Sequence, residues 1–226
     1  MITATNNRPL LARIGQAGIV ALAAMVAVLA PSASRTASVE SRLLAAGGER
    51  AMPIASAANF AATAIALRHW NKKEITVHVI ASPNENKTAE QIASLVAQGL
   101  GLWNEKAGKT VHLSLTDDTD ADVTVAFVTP GTLSGGAVGQ TDAQFDPEDS
   151  AISHAGIKIN ERLSSAQLVQ VVAHEMGHAL GIQGHSPNKG DLMYAYAHLP
   201  VELTARDLNT LNIGYGISAP QQIAQK

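Results

Sequence analysis

Apolar and polar side chains alternate through EITVHVI, Glu74 to Ile80, with the two-residue period of a half-buried strand. Beyond Pro83 the period changes. Ile92, Leu95, Val96, Leu100 and Trp103 recur at three- and four-residue steps in AEQIASLVAQGLGLWNEKAG, which places them on one face of a helix with Thr88 as its cap. VHLSLT and DVTVAFV return to alternation and predict two strands around an acidic turn with Asp117, Asp118 and Asp120. AGIKIN, Ala155 to Asn160, is a further strand. The helical period resumes from Ser165 to Ile182, SAQLVQVVAHEMGHALGI, through Leu168, Val171, Val172, Met176, Ala179 and Leu180. A closing helix is expected in LTARDLNTLNIGYG behind Thr204. Strand, helix, several strands and helix in that order describe a mixed α and β layered domain of about 150 residues starting near Trp70. The Gly-rich stretch GTLSGGAVGQTD carries no lysine and reads as turn geometry, not as a phosphate loop.

The N-terminal pattern is of another kind. Gly18 to Ala30, GIVALAAMVAVLA, is a run of apolar and small residues preceded by Arg8 and Arg13 without an acidic residue. It falls short of the about 20 apolar residues of a membrane-spanning helix, and small residues follow in PSAS. Residues 1–34 therefore read as a signal peptide cleaved near Ser34, or as an N-terminal anchor if retained; a buried helix is the bland alternative. Residues 35–68 are rich in Ala, Ser and Gly, with helical-looking patches VESRLLAAG and ANFAATAIALRHW. They read as a linker, a short propeptide or a first helix against the main domain, which occupies 69–226.

Composition narrows the chemistry. The 226 residues carry a net charge of −3, and removing the leader leaves 14 basic and 19 acidic residues, net −5. That gives no electrostatic case for nucleic acid. The chain has no cysteine, so disulfides, thiolate nucleophiles and Cys-bound metals are excluded and a metal must be held by His, Asp, Glu or backbone oxygen.

His174-Glu175-Met176-Gly177-His178 lies inside the second helical pattern. The four-residue interval carries both imidazoles to one face, one turn apart, where both can reach one tetrahedral metal. Glu175 is rotated off that line and can approach a metal-bound water instead. Zinc would lower the pKa of that water to near 7, and Glu175 could take its proton and pass it to the leaving amine. Gly181 sits where the helix must end and turn back, and Gly184 adds flexibility before His185, which the return loop can bring in as third ligand. The competing reading makes His185 an ordinary loop histidine, with Asp191 as the substitute ligand. Tyr194 and Tyr196 are candidates for an oxyanion donor or pocket wall, or for packing residues with a wet tip. His69, His78, His112, His154 and His198 are not spaced as a site, although His154 could face a second structural metal.

These residues resemble the metzincin zinc peptidases, most nearly their matrixin-like branch, whose pattern is HExxHxxGxxH followed by a turn with a characteristic methionine. His174, Glu175, His178, Gly181 and Met193 stand in place, but the third histidine comes one residue late, at 185, with Gly184 in its usual slot. The order of ITVHV, the first helix, ADVTVAF and the closing helix extends the likeness over roughly 69 to 216.

The resemblance implies an α+β zincin domain: a twisted, mostly parallel five-stranded sheet with one antiparallel edge strand between Val138 and Asp146, an active-site helix, and a small C-terminal subdomain ending in a helix. It also implies that Met193 forms a floor beneath the metal ligands and that an extended protein or peptide substrate adds to the edge strand. Calcium commonly ties down surface loops in the family. Here Asp117, Asp118, Asp120 and Asp122, and Asp142, Asp146, Glu148 and Asp149, offer oxygen ligands but complete no calcium loop, and solvated turns explain them. The function so implied is that of a secreted or cell-envelope zinc endopeptidase, monomeric, touching a membrane only through a retained leader. The alternatives are a catalytically silent binding module and a zinc amidase acting on cell-wall peptides.

Overall fold

The computed structural model describes residues 59–62, 64, 66–80, 87–197, 199 and 202–217, together with the backbone of 19–22 and 27–28. The expected cleavage near Ser34, the VESRLLAAG patch and His198 lie outside the described residues. Three short strands precede the domain: β1 (Ile19–Leu22), β2 (Ala27–Val28) and β3 (Ala66–Leu67). The domain then runs β4 (Glu74–Ile80), α1 (Ala89–Ala107), β5 (His112–Thr116), β6 (Val123–Val128), β7 (Gly139–Phe145), β8 (Ile152–Asn160), α2 (Ser165–Ala179), β9 (Ile182–Gln183), β10 (Tyr196–Ala197) and α3 (Ala205–Gly214).

Five strands form the sheet in the order β5, β4, β6, β8, β7. The first four are mutually parallel, and β7 closes the edge antiparallel to β8, with Gly139 opposite Ile159 and Ala143 opposite Ala155. This is the sheet that the resemblance implied, with the edge strand inside the expected window. On its outer side β1 adds a sixth, antiparallel strand, Ile19 opposite Gln144 and Leu22 opposite Thr141.

Alternation decides which side chains are buried. Ile75 and Val77 of β4, Val123 and Val125 of β6, and Ile157 and Ile159 of β8 are all essentially inaccessible. They share one core with Ile92, Val96 and Trp103 of α1 and with Leu168, Val172 and Met176 of α2. Burying each such side chain contributes about 1.5–3 kcal/mol, so apolar packing is what fixes α2 on the sheet. Each helix starts in a capping box: Thr88 with Gln91, Ser164 with Gln167, and Thr204 with Asp207.

Two segments differ from expectation. ANFAATAIALRHW supplies no helix among its described residues. Phe60 is 4% exposed within the core, and β3 pairs antiparallel with β9, Leu67 opposite Ile182. Alanine-rich sequence favours helix only weakly, and pairing with a buried backbone edge overrides it. The active-site helix also ends earlier than the apolar pattern, at Ala179, because Gly181 has φ +116° and turns the chain into β9.

Candidate active site

α2 is held at both ends of its HEMGH segment by the chain's two tryptophans. Trp103 of α1 donates its indole N–H to the carbonyl of Ala173, 2.8 Å away, and Trp70 donates to the carbonyl of Ala179 at 2.9 Å. The residues beside those acceptors are His174 and His178. The last carbonyls of a helix lack intrahelical partners, and here they find them: Gln183 Nε2 donates to His178 O, Trp70 to Ala179 O, and the Tyr215 hydroxyl to Leu180 O. The turn at Gly181 is equally constrained, since a Cβ there would stand 2.2 Å from the Arg68 carbonyl oxygen.

His174 and His178 are buried on one face of α2, and the return loop brings His185 to them. One ligand atom of each lies within 4.8 Å of the others, and ring centroids are separated by 4.9 to 5.3 Å. Backbone carbonyls set the ring orientations. Nδ1 of His174 donates to Leu192 O at 2.8 Å and Nδ1 of His178 to Ile182 O at 2.7 Å, which turns each Nε2 inward. Burial, with His185 nearby, drives the His178 pKa down to about 3 against the Ile182 hydrogen bond, and burial lowers that of His185. Neutral imidazoles are what a metal needs.

Glu175 is fully buried beside this cluster. Its Oε2 accepts from the Thr141 hydroxyl of β7 at 2.7 Å. Burial pushes its carboxyl up to about 8, opposed by the Thr141 hydrogen bond and aided by the charge of Asp142. Its Oε1, like Nε2 of His178 and of His185, has no hydrogen-bond partner. Each such buried orphan costs about 1–3 kcal/mol unless something else binds it. Buried nitrogens converging from three imidazoles fit one metal ion, and the donor set suits zinc with an open fourth position.

Met193 is completely buried against α2, with its sulfur 2.3 Å from where a Cβ on Gly177 would stand. Glycine between His174 and His178 is therefore what lets the turn with Met193 close on α2. Asp207 of α3 holds that turn, accepting the N–H groups of Leu192 and Met193 at 3.0 and 3.1 Å.

Asp191, the substitute ligand in the competing reading, faces elsewhere. Its carboxylate is gripped by Arg206 at 2.6 to 3.0 Å, by the Ser186 hydroxyl at 2.5 Å and by Thr204 Oγ1 at 2.9 Å. It thereby anchors the residue after His185 instead of joining the histidines. Tyr194 and Tyr196 lie beyond the methionine with ring centroids 5.6 Å apart, and Tyr196 is 45% exposed. Among the described residues His154 joins no group of three metal-binding side chains. The acidic loops cap their own turns: Asp118 accepts from Asp120 N–H, Asp146 from Glu148 N–H and Asp149 from Ala151 N–H, while Asp122 binds Thr76 and Lys72.

Residues 69–216 match the Matrixin family profile. The chain belongs to the matrixin family. Similar proteins include human (Homo sapiens) matrix metalloproteinase-26, 26% identical over 162 residues, covering 65% of this chain and 59% of that protein. Stromelysin-1 of Mus musculus is 25% identical over 160 residues, covering 64% of this chain and 30% of that protein. The matched stretch thus spans less than two thirds of either relative. The matrixin likeness ends where the described domain ends, and β1 and β2 precede it. Sequence reasoning named the three clustered histidines and Glu175 as candidates but missed Thr141, Asp207 and the tryptophan clamps. Their partners are distant in sequence, and Thr204 with Asp207 read only as a helix start.

Proposed function

We propose that the chain is a zinc-dependent endopeptidase in which His174, His178 and His185 hold the metal and Glu175 is the general base. The observation that supports this most is the buried, unpartnered Oε1 of Glu175 next to three converging imidazoles. Bound zinc would supply a Lewis acid that activates water and polarises the scissile carbonyl. The remaining work falls to the chain's own groups. β7 is the edge of the five-stranded sheet, and an extended peptide would add along it as a strand in the position where β1 pairs in this structure. Thr141 fixes Oε2, leaving Oε1 to take the proton of the attacking water. The Glu175 carboxyl then gives that proton to the leaving amine. Met193 and Gly177 keep the ligand helix and the return loop in register. Tyr194 and Tyr196 border the site as pocket wall or oxyanion donors.

We place the protein outside the cytoplasm, in keeping with the apolar run behind Arg8 and Arg13; among the described residues no helix is long and apolar enough to cross a membrane. The test is cleavage of an unbiased peptide library by the zinc-loaded full chain, read by mass spectrometry beside Glu175→Ala and a chelated sample. Cuts absent from both controls and restored by zinc are expected. One bound zinc per chain without cuts would favour the silent binding module, cuts confined to cell-wall peptides the amidase, and no bound zinc would overturn the proposal.

A further inference from the structure

The side chains of β7 divide between two faces. Gly139, Thr141 and Ala143 are buried on the α2 side, while Gln140, Asp142 and Gln144 lie on the opposite, more accessible face of the sheet. The backbone divides in the same way. Asn160 N–H donates to Val138 O, so by the register of the β7–β8 ladder the even-numbered residues spend their backbone groups on β8. Gly139, Thr141 and Ala143 therefore turn their N–H and C=O groups to the edge. A strand added there bonds to those three and leaves Asp142 in a non-hydrogen-bonded pair, where opposite Cα atoms come to about 4.5 Å and side chains are closest. The antiparallel register of β1, with Ala21 opposite Asp142, is of this kind. Asp142 has room for a partner on that side. Its opposite residue on β8 is Gly156, which offers no side chain, and Lys158 reaches the carboxylate only from the diagonal, at 3.4 Å, leaving 25% of the Asp142 side chain exposed.

We propose that Asp142 is a specificity determinant of the cleft, selecting a Lys or Arg side chain on the amino side of the bond that is cut. The direction follows from the strand. A peptide antiparallel to β7 passes Asp142 before it reaches Thr141 and Gly139, and Glu175 stands at those two, with Oε2 on the Thr141 hydroxyl and Oε1 close against Gly139. The residue opposite Asp142 therefore precedes the reacting bond, and its side chain lies on the outer face beside the carboxylate. The proposal rests on the peptidase reading for the cut, whereas the contact itself needs only the added strand. It names the substrate class as an extended peptide carrying a cationic side chain ahead of the site, with an acidic one at that position disfavoured.

The experiment offers an unbiased peptide library to the zinc-loaded full chain and to its Asp142→Asn and Asp142→Lys variants, with cuts read by mass spectrometry. Asp142 lies outside the core, so neither substitution disturbs packing. At one position ahead of the cut, Lys and Arg should exceed Gln about threefold and Glu about tenfold, the size of one attractive and one repulsive cross-strand pair. That preference should vanish in Asp142→Asn, reverse in Asp142→Lys and weaken between about 0.05 and 0.5 M salt, with preferences at other positions kept. These are ratios between peptides competing for one chain, so neither a changed rate nor anything else that pairs with β7 alters them. A second arm passes the same library over immobilised Glu175→Ala chain, with and without Asp142→Asn, and reads the retained peptides. Retention enriched in Lys and Arg and lost with Asp142→Asn, in the absence of cuts by the active chain, would leave the subsite standing and defeat the peptidase reading instead. Enrichment that survives Asp142→Asn, or that is missing from cut and retained peptides alike, would overturn the proposal.

Discussion

The carboxylate of Asp207 accepts the backbone N–H of Met193 at 3.1 Å, tying the first turn of α3 to the turn that packs on α2 between His174 and His178. The same carboxylate takes the N–H of Leu192, whose carbonyl in turn orients the His174 ring. Burial raises the Asp207 carboxyl while the hydrogen bonds from Thr204 and Met193 hold it down. Asp207→Asn keeps the shape but directs an amide at N–H donors. We expect a loss of about 2–3 kcal/mol in urea unfolding and a zinc affinity about 10–100-fold weaker by competition with a chromogenic chelator. Unaltered zinc affinity would show that the methionine turn does not need this anchor.

Gly139 makes the corresponding close approach from the edge strand. A Cβ there would stand 2.4 Å from Oε1 of Glu175 and 2.7 Å from Cγ1 of Val171. Gly139→Ala must displace the carboxylate while leaving the three histidines alone. The expected result is a kcat lower by about 10²-fold with zinc affinity preserved, since misplacing a catalytic group by about 1 Å has that effect. A kcat within twofold of the parent would mean that Glu175 is not held where it acts.

Zinc should stabilise the fold through three ligands and not two. At 100 times its dissociation constant the gain is about 2.7 kcal/mol, seen as a rise in Tm. His185→Ala should lose most of that rise, because the remaining pair holds the metal far less tightly. If His185→Ala kept the full rise and Asp191→Asn lost it, the carboxylate and not the imidazole would be the third ligand.

The sequence carried the individual strands and helices because their signals are local, while the order and direction of the strands came with the family resemblance. EITVHVI shows its period within seven residues, and HEMGH places two histidines about one turn of helix apart. His185 was harder to read as a ligand candidate, since the extra residue before it moves it off the family spacing; the structure brings it to the other two histidines through a turn with Gly184 at φ +132°. What could not be read was long-range. Thr141 and Glu175 are separated by 34 residues, and Trp70 and Ala179 by 109, and neither pair leaves a mark on periodicity. The ANFAATAIALRHW patch misled for the same reason: its alanines suggest helix, while the partner that makes Ala66–Leu67 a strand lies more than a hundred residues away.

Asp191 and Arg206 give the site's support a defined pH dependence. The Asp191 carboxyl is pushed up by burial, but hydrogen bonds from Arg206, Ser186 and Thr204 and the Arg206 charge outweigh this and hold it below the usual carboxylate range. A carboxyl depressed in the folded state contributes stability that is complete above its unfolded value, about 4, and is lost as pH falls through the lower folded value. Asp191→Asn removes that contribution and leaves Arg206 without its partner, at a cost of about 3 kcal/mol near pH 7. The raised carboxyl of Asp207 acts in the opposite sense but is present in both proteins, so to first order it cancels from the difference. Urea unfolding from pH 7 to pH 3 should therefore show a gap between the two proteins that is constant down to about pH 4 and closes below it. A gap that persists unchanged into acid would show that Asp191 acts through shape and not through its charge.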